Sequence, residues 1–300
     1  MLLLFALQAW ANPVDELLEL IDQGASTKFK TELVKSDRDF FELDQQGRKV
    51  VVRGNTWVNI ASGVNWYLKY YAGIHLSWNQ MQAKLPAVLP VVSQKERHET
   101  DLTLRYDFNY CTSSYSMAFW DWKRWEQEID WMALHGVNLP LAIVGEECVW
   151  RNMLLKLGYT EEEIGQFIAG PAFLAWWEMN NFEGWGGPLP LSWCQCQEKL
   201  QKQILARMKR LGMHPVLPGY SGMVPHDAKQ RLGSKRWPEA EEDAVDSGIG
   251  LHLADRQVID AFLQVERTYL TPHRPDVGRM PDNHRSLPIS CHQSSMKWFA

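Results

Sequence analysis

The chain has 300 residues, of which 45% are hydrophobic, and a formal net charge of −5. This apolar content suffices for a large folded core and excludes a chain that is disordered throughout. The mild negative charge and the dispersed Lys and Arg residues argue against a nucleic-acid-binding protein.

The first eleven residues have the features of a secretory signal peptide. MLLLFALQAWANP contains an apolar run that ends in Ala9-Trp10-Ala11, which fits the small-residue cleavage site of such a signal. No basic residue precedes the run, so a plain N-terminal helix is the alternative. The run is too short to span a bilayer as a permanent helix. We therefore expect an exported protein, in a periplasmic, extracellular or lysosome-like compartment, with no stable membrane span.

Residues 12–99 predict a small N-terminal α/β domain. An amphipathic helix over Val14–Ile21 comes first, and FFELDQQGRKVVVRG then predicts a hairpin with Asp44–Gly47 as its turn. Apolar residues recur at helical spacing in NTWVNIASGVNWYLKYYAG, whose last residue predicts the helix end. The polar stretch Lys95–Glu99 is expected to be the link that ends this domain.

Helices alternate with short apolar strands from residue 100 onwards. A helix, a glycine and a strand-length apolar run occur twice, in WMALHGVNLPLAIVG and in ARMKRLGMHPVLPGYSG. This succession predicts parallel βα units, as in a (β/α)8 barrel, whose active site lies in the loops after the strands. The candidates by this rule are Gly145-Glu146-Glu147 and Tyr220-Ser221-Gly222. Glu147 is equally interpretable as a helix N-terminal residue held by the helix dipole.

Two helix starts are also predicted in this region. Thr160-Glu-Glu-Glu163 has the pattern of a capping box. Ser192 is expected to cap a helix that runs to Gly212.

Tryptophan is concentrated in one part of the chain, because nine of the fifteen lie between Trp120 and Trp193. Two interpretations stay open, an aromatic platform for sugar rings and a tryptophan-rich core. The five cysteines have no metal-binding spacing, so neither a zinc site nor a disulfide framework is predicted. They are Cys111, Cys148, Cys194, Cys196 and Cys291.

Three long aromatic stretches carry a family resemblance. They are NYCTSSYSMAFWDWKRWEQEIDWMALHGVNLPLAIVGEECVW, GPAFLAWWEMNNFEGWGGPLPLSW and GMHPVLPGYSGMVP. All three strongly resemble the α-N-acetylglucosaminidase family of glycoside hydrolases. VVVRGNTWVNIASGVNWYLKYYAG resembles that family's small N-terminal α/β domain, so the likeness covers residues 15 to about 232.

The resemblance implies a retaining exo-hydrolase that removes terminal α-linked N-acetylglucosamine from glycans. It implies a (β/α)8 barrel, two catalytic glutamates, and neither a metal nor an organic cofactor. Asn109, Cys111, Tyr115 and Trp185 match family positions that line the sugar pocket, and Glu147 joins them by its loop position. Taken alone, Cys111 is equally a small buried residue and Trp185 a core residue.

The chain departs from the family pattern after Gly233. In the family, both glutamates lie downstream of VPHDAKQRLG, and no continuation of the pattern follows here. The tail's own acids, such as Glu239, lie in a charged run typical of a solvated helix face. We therefore assign no catalytic residue by name and expect an inactive fragment, with non-enzymatic N-acetylglucosamine or glycan binding as the alternative.

The expected fold class is therefore α/β, with the small N-terminal domain followed by the first part of a TIM barrel that is incomplete. The expected segments are residues 1–11 as signal, 12–99 as N-terminal domain, 100–232 as barrel portion and 233–300 as a divergent tail. The abrupt change of texture in the tail indicates a reading-frame shift or a fusion.

Overall fold

The structure is a computed structural model that describes residues 12–219, 223–232 and 251–252. The predicted signal, the Tyr220-Ser221-Gly222 candidate and nearly all of the divergent tail lie outside these residues. The described helices and strands, in chain order, are α1 (Pro13–Ile21), β1 (Phe29–Leu33), β2 (Asp39–Gln46), β3 (Lys49–Gly54), α2 (Trp57–Tyr70), β4 (Glu96–Thr100), β5 (Tyr106–Asp107), α3 (Tyr110–Thr112), α4 (Trp122–Leu134), β6 (Leu139–Pro140), α5 (Glu146–Lys156), α6 (Glu161–Phe167), α7 (Leu174–Glu178), α8 (Leu191–Leu211), β7 (Met223–Val224), α9 (Ala228–Leu232) and β8 (Leu251–His252).

The chain divides into two compact units. Unit 1 contains the chain up to Phe108, Trp120–Ala142 and Leu200–Leu217. Unit 2 contains Asn109–Phe119, Ile143–Lys199 and the chain from Pro218 onwards. Helix α8 contributes residues to both units. None of the helices in the described part of the chain is long and apolar enough to cross a membrane.

Unit 1 begins with a four-stranded sheet in the order β1-β3-β2-β4. The central strand β3 is parallel to β1 and antiparallel to β2, and its residues Val50, Val51 and Val52 are buried. Helix α2 packs on this sheet so closely that a Cβ at Gly63 would lie 2.7 Å from Cγ1 of Val52. The predicted helical spacing is confirmed, because the apolar face of α2 is buried.

Two predictions for this sheet are wrong. Strand β2 runs through Gln46, so Asp44 lies in the strand and not in the turn. Its charge is balanced across the strands by Arg53, whose Nη1 lies 2.9 Å from Oδ2 of Asp44. The expected link at Lys95–Glu99 is largely strand β4, which pairs with β2 and stacks His98 on Phe41 with ring centroids 4.8 Å apart.

The barrel-like part of unit 1 consists of short parallel strands. Strand β5 pairs in parallel with β6, and Leu141 forms a parallel bridge with Val216. The strand predicted in VNLPLAIVG is thus confirmed as a short one. Among residues 214–219 of HPVLPGY, the bridge at Val216 is the single strand pairing, because the prolines on either side lack the N–H groups that extend a ladder.

Within unit 1, helix α4 contacts the C-terminal part of α8. The sequence SMAFWDWKRWEQEIDWMALHG places Trp122, Trp125, Ile129 and Met132 on one helical face. The last three are buried in α4, whereas Trp122 is only half-buried. The buried carboxylate of Asp130 accepts hydrogen bonds from Nε and Nη2 of Arg207 at 2.9 and 3.0 Å. This two-pronged ion pair satisfies a charge that would be costly to bury alone.

Unit 2 is built around tryptophan. The buried ring of Trp177 contacts Trp150 and Phe167 edge to face, at centroid distances of 5.3 and 5.4 Å. The capping box at Thr160 is confirmed at the start of α6. Helix α8 begins at Leu191, so Ser192 lies inside its first turn and the predicted cap is wrong.

Candidate functional site

All five residues predicted to line a site lie in unit 2. Asn109, Cys111 and Tyr115 belong to the segment that contains α3, Glu147 lies in the first turn of α5, and Trp185 lies in the loop between α7 and α8.

The segment around α3 begins with a conformationally constrained turn. Phe108 has a left-handed φ of 74°, which costs a non-glycine residue about 1–3 kcal/mol. Asn109 follows as the N-cap of α3, and its Oδ1 accepts hydrogen bonds from the backbone N and Oγ1 of Thr112 at 3.1 and 2.9 Å. The side-chain oxygen of Asn109 therefore caps helix α3. The residue as a whole is exposed.

Cys111 and Tyr115 contact helix α7 and the residue after it. The Sγ atom of Cys111 lies 4.0 Å from Sδ of Met179. The Tyr115 ring meets the Trp176 ring edge to face at 5.5 Å, yet Tyr115 is 75% exposed. Cys111 is only half-buried, so the interpretation as a fully buried small residue is wrong.

Trp185 is 62% exposed, so its interpretation as a core residue is also wrong. Its ring contacts Phe173 and Phe182 at centroid distances of 6.3 Å each. The loop is held by backbone contacts, because Gly170 N donates to Trp185 O at 2.7 Å. A Cβ at Gly170 would lie 1.9 Å from Gly186 O, so only glycine permits this approach. Trp185 thus projects an exposed indole from a tightly held loop.

The tryptophan-rich segment contains both buried and exposed rings. Trp125, Trp150 and Trp177 are core residues with at most 3% exposure. Trp185 is the exposed case, and an exposed aromatic face is the kind of surface on which a sugar ring packs its C–H groups. The local enrichment therefore serves packing and supplies an aromatic surface.

Glu147 is buried and lies in the first turn of α5, as its alternative interpretation proposed. Its Oε1 accepts a hydrogen bond from Nε1 of Trp193 at 2.8 Å. Burial raises the pKa of Glu147 to about 7, against the lowering effect of backbone hydrogen bonds and of Trp193. Trp193 also meets Phe119 edge to face at 6.0 Å, which links Glu147 to the chain segment that follows Tyr115.

Glu178, at the end of α7, adds a third buried carboxyl to the two in α5. Burial first, and then the charges of Glu146 and Glu147, raise the pKa of Glu178 well above its usual value. Its Oε2 has no hydrogen-bond partner among the described residues. Burial and a second negative charge nearby both disfavour the ionised form of a carboxyl.

The roles of Trp193 and Glu178 were missed at the sequence level. Both residues occur in the quoted family-like stretches, but a sequence pattern does not reveal a contact between residues 46 positions apart, as for Trp193 and Glu147. Within residues 12–219, 223–232 and 251–252, no group of three or more His, Cys, Asp or Glu side chains is arranged to hold a metal ion.

Comparison with known proteins identifies two family models that match the chain. Residues 12–91 match the model of the α-N-acetylglucosaminidase N-terminal domain, and residues 105–274 match the model of that family's TIM-barrel domain. The chain belongs to the α-N-acetylglucosaminidase family. The predicted family and the α/β class, with a small N-terminal domain before the first part of a barrel, are therefore confirmed.

The matched relatives are much longer than this chain. Human α-N-acetylglucosaminidase is 49% identical over 192 residues, which are 64% of this chain and 26% of the human protein. A family 89 glycoside hydrolase from Clostridium perfringens, solved in complex with PUGNAc, is 34% identical with a TM-score of 0.76, over 88% of this chain and 31% of that chain. A variant of a Clostridium perfringens protein of this family, with two glutamates replaced by glutamine, was solved with its substrate GlcNAc-α-1,4-galactose; it is 34% identical with a TM-score of 0.77 over the same shares.

The barrel-domain match extends farther than the motifs of the chain. It ends at residue 274, whereas the resemblance carried by the quoted motifs ends near residue 232. The family model thus covers part of the segment that we expected to be a divergent tail.

Proposed function

We propose that this chain forms one wall of the sugar-binding site of a glycoside hydrolase that removes terminal α-linked N-acetylglucosamine from glycans. The observation that carries the proposal is the exposed indole of Trp185 on a loop fixed by close glycine contacts. A fixed aromatic face binds the apolar C–H groups of a sugar ring without first having to be ordered.

The polar groups needed for sugar hydroxyls lie in the same unit. Asn109 and Tyr115 are exposed, and Tyr115 packs against α7 while Trp185 packs against Phe173, just before α7. An aromatic surface with a few polar groups is typical of small-molecule sites. We therefore propose contact with the sugar for Asn109, Cys111, Tyr115 and Trp185.

Glu147 receives a different role in this proposal. Its carboxyl is buried against Trp193, so it acts on the site by holding that indole and not by touching the sugar.

Catalysis needs a second proposal. A retaining glycosidase uses two carboxyls about 5–5.5 Å apart. The resemblance places the family's two glutamates downstream of VPHDAKQRLG, where we recognise no such motif. Glu147 is buried, and so is the Oε2 atom of Glu178. We infer that the chain by itself does not hydrolyse glycosides. The exposure of Tyr115 and Trp185 keeps a non-enzymatic glycan-binding protein as the second candidate.

The two candidates are separated by two assays on the complete chain. Hydrolysis of a chromogenic α-N-acetylglucosaminide would establish an enzyme and contradict the inferred inactivity. Heat released on titration with N-acetylglucosamine, without hydrolysis, would favour the glycan-binding protein. Absence of both signals is expected if the wall needs the rest of a family barrel to bind sugar.

Export is part of the same proposal and has its own test. We expect the mature protein, recovered from the compartment outside the cytosol, to begin after Ala11. Recovery from the cytosol of a protein that still begins with Met1 would contradict this.

A further inference from the structure

Two buried cysteines from distant parts of the sequence meet in unit 2. Cys148 lies in the first turn of α5 and Cys194 in the first turn of α8. The Sγ atom of Cys148 donates a hydrogen bond to the backbone oxygen of Cys194 at 3.2 Å. Both cysteines are buried and both are free thiols in the structure.

The residues just before them meet as well. Glu147 accepts the indole hydrogen of Trp193 at 2.8 Å, so residues 147 and 148 face residues 193 and 194 in the same order. Two consecutive contacts fix the relative position of these helix starts better than one contact would. The Cys148 thiol is therefore held against the backbone of Cys194 by packing that does not depend on a bond between the two sulfurs.

We propose that Cys148 and Cys194 form a redox site, and that an oxidant of the small-disulfide class converts the two thiols into an intrachain disulfide. This inference rests on the geometry of unit 2 and not on the proposed sugar chemistry.

The chemistry of the step is thiol–disulfide exchange. The neighbouring Cys148 thiol lowers the pKa of Cys194, so we take Cys194 as the first nucleophile of the exchange. On local opening of the start of α8, its thiolate attacks one sulfur of oxidised glutathione and expels one glutathione thiolate. The Cys148 thiol then loses its proton and attacks the Cys194 sulfur, which releases the second glutathione. Two protein thiols are oxidised, and one small disulfide is reduced to two thiols.

The other described cysteines are not placed for this reaction. Cys196 is exposed and, two positions further along α8, points about 200° away from Cys194. Cys111 lies beside Met179 and is half-buried. Cys196 therefore provides a matched control on the same helix.

The disulfide would attach the start of α8 covalently to the start of α5. Because Trp193 and Glu147 are the adjacent residues, the bond would also hold the indole of Trp193 on the carboxyl of Glu147. Oxidation is thus expected to make the Trp193 contact more persistent.

The test is a redox equilibrium on the complete chain in buffers of reduced and oxidised glutathione, with and without denaturing urea. Peptide mapping by mass spectrometry measures the fraction of Cys148–Cys194 disulfide and gives the effective concentration of one thiol toward the other. We expect this value to be about tenfold or more higher without urea, because the fold brings the thiols together. We also expect Cys196→Ser to leave it unchanged.

Two results would overturn the proposal. One is an equal effective concentration with and without urea. The other is a dominant disulfide that includes Cys196 or Cys111.

A second readout is the thermal midpoint of unfolding. Oxidation should raise it in the wild type and in Cys196→Ser but not in Cys148→Ser. An equal shift in all three proteins would contradict the proposed site.

Discussion

Trp177 and Trp185 stand in one short stretch of sequence but have opposite environments. Trp177 is fully buried between Trp150 and Phe167, whereas Trp185 exposes most of its ring. Burying a ring of this size stabilises the fold, and exposing it has no such benefit. The exposed ring is therefore the one to which we assign a binding role.

Replacing Trp185 by Ala tests that role. The substitution is made in a chimera of human α-N-acetylglucosaminidase, in which the aligned stretch of this chain replaces the matching human residues. We expect kcat/KM for an aryl α-N-acetylglucosaminide to fall about tenfold or more, equivalent to about 1.4 kcal/mol of transition-state binding. Leu191→Ala is the control, because Leu191 is an exposed apolar side chain at the start of α8. Equal losses for both substitutions would contradict a specific role for the indole.

The titration of Glu147 predicts an effect of pH on stability. Its folded-state pKa of about 7 lies above the ordinary value of 4.5. Between pH 4.5 and about pH 7, the folded chain therefore keeps a proton on Glu147 that the unfolded chain has lost. The stabilisation is thus present at acidic pH and is lost as the pH rises through about 7. From about pH 5 to about pH 7.5, this group should reduce the free energy of unfolding by about 2 kcal/mol.

Glu147→Gln removes this titration and is expected to make the free energy of unfolding less dependent on pH in that range. Urea unfolding at several pH values measures it. Glu162→Gln is the matched control, since Glu162 is exposed in the first turn of α6. The pKa of Glu178 is raised as well, so part of the pH dependence of the free energy of unfolding should remain in Glu147→Gln. A slope that is identical in wild type and Glu147→Gln would show that the Glu147 carboxyl is not desolvated as described.

At the scale of elements, the loop before α8 depends on a glycine outside it. Gly170 has an ordinary φ of −66°, so its requirement for glycine is steric: a Cβ would lie 1.9 Å from the backbone oxygen of Gly186. Backbone cannot yield to this contact as a flexible side chain would. The loop that carries Trp185 is therefore positioned by the turn after α6.

Gly170→Ala should displace that loop. We expect a loss of about 1–3 kcal/mol in the free energy of unfolding, and a lower kcat/KM in the chimera. Gly219→Ala is the control, because a Cβ at Gly219 meets nothing within 4 Å. Thermal unfolding of the two variants measures the difference. Gly170→Ala and Gly219→Ala variants of equal stability would mean that the close approach does not exist.

The elements also show which features a sequence can reveal. Helix α2 and the capping box of Thr160 were predictable, because their signals lie within a few residues of each other. Strand β4 was missed, because its pairing with β2 depends on residues far away in the chain. The burial of Glu147 was missed for the same reason, since its partner Trp193 lies 46 positions later. Four site residues came from the family resemblance and Glu147 from its loop position, whereas the exposure of Trp185 came from the structure.

At the scale of the whole molecule, the chain carries a recognisable part of a family fold. It spans 26% of the human relative and 31% of the Clostridium perfringens relative. The barrel-domain model reaches residue 274, past the point where the motifs stop. We expect translation of the coding DNA across residues 225–300 in all three frames to show the family glutamate motif in another frame. Its absence from every frame would contradict a frame shift and leave a fusion.

The central claim is that the chain supplies a sugar-binding wall but no catalytic pair. Hydrolysis of an aryl α-N-acetylglucosaminide, measured side by side for the complete chain and for the chimera with human α-N-acetylglucosaminidase, tests it most directly. We predict turnover by the chimera and none by the chain alone. Turnover by the chain alone, or a folded chimera without turnover, would contradict the claim.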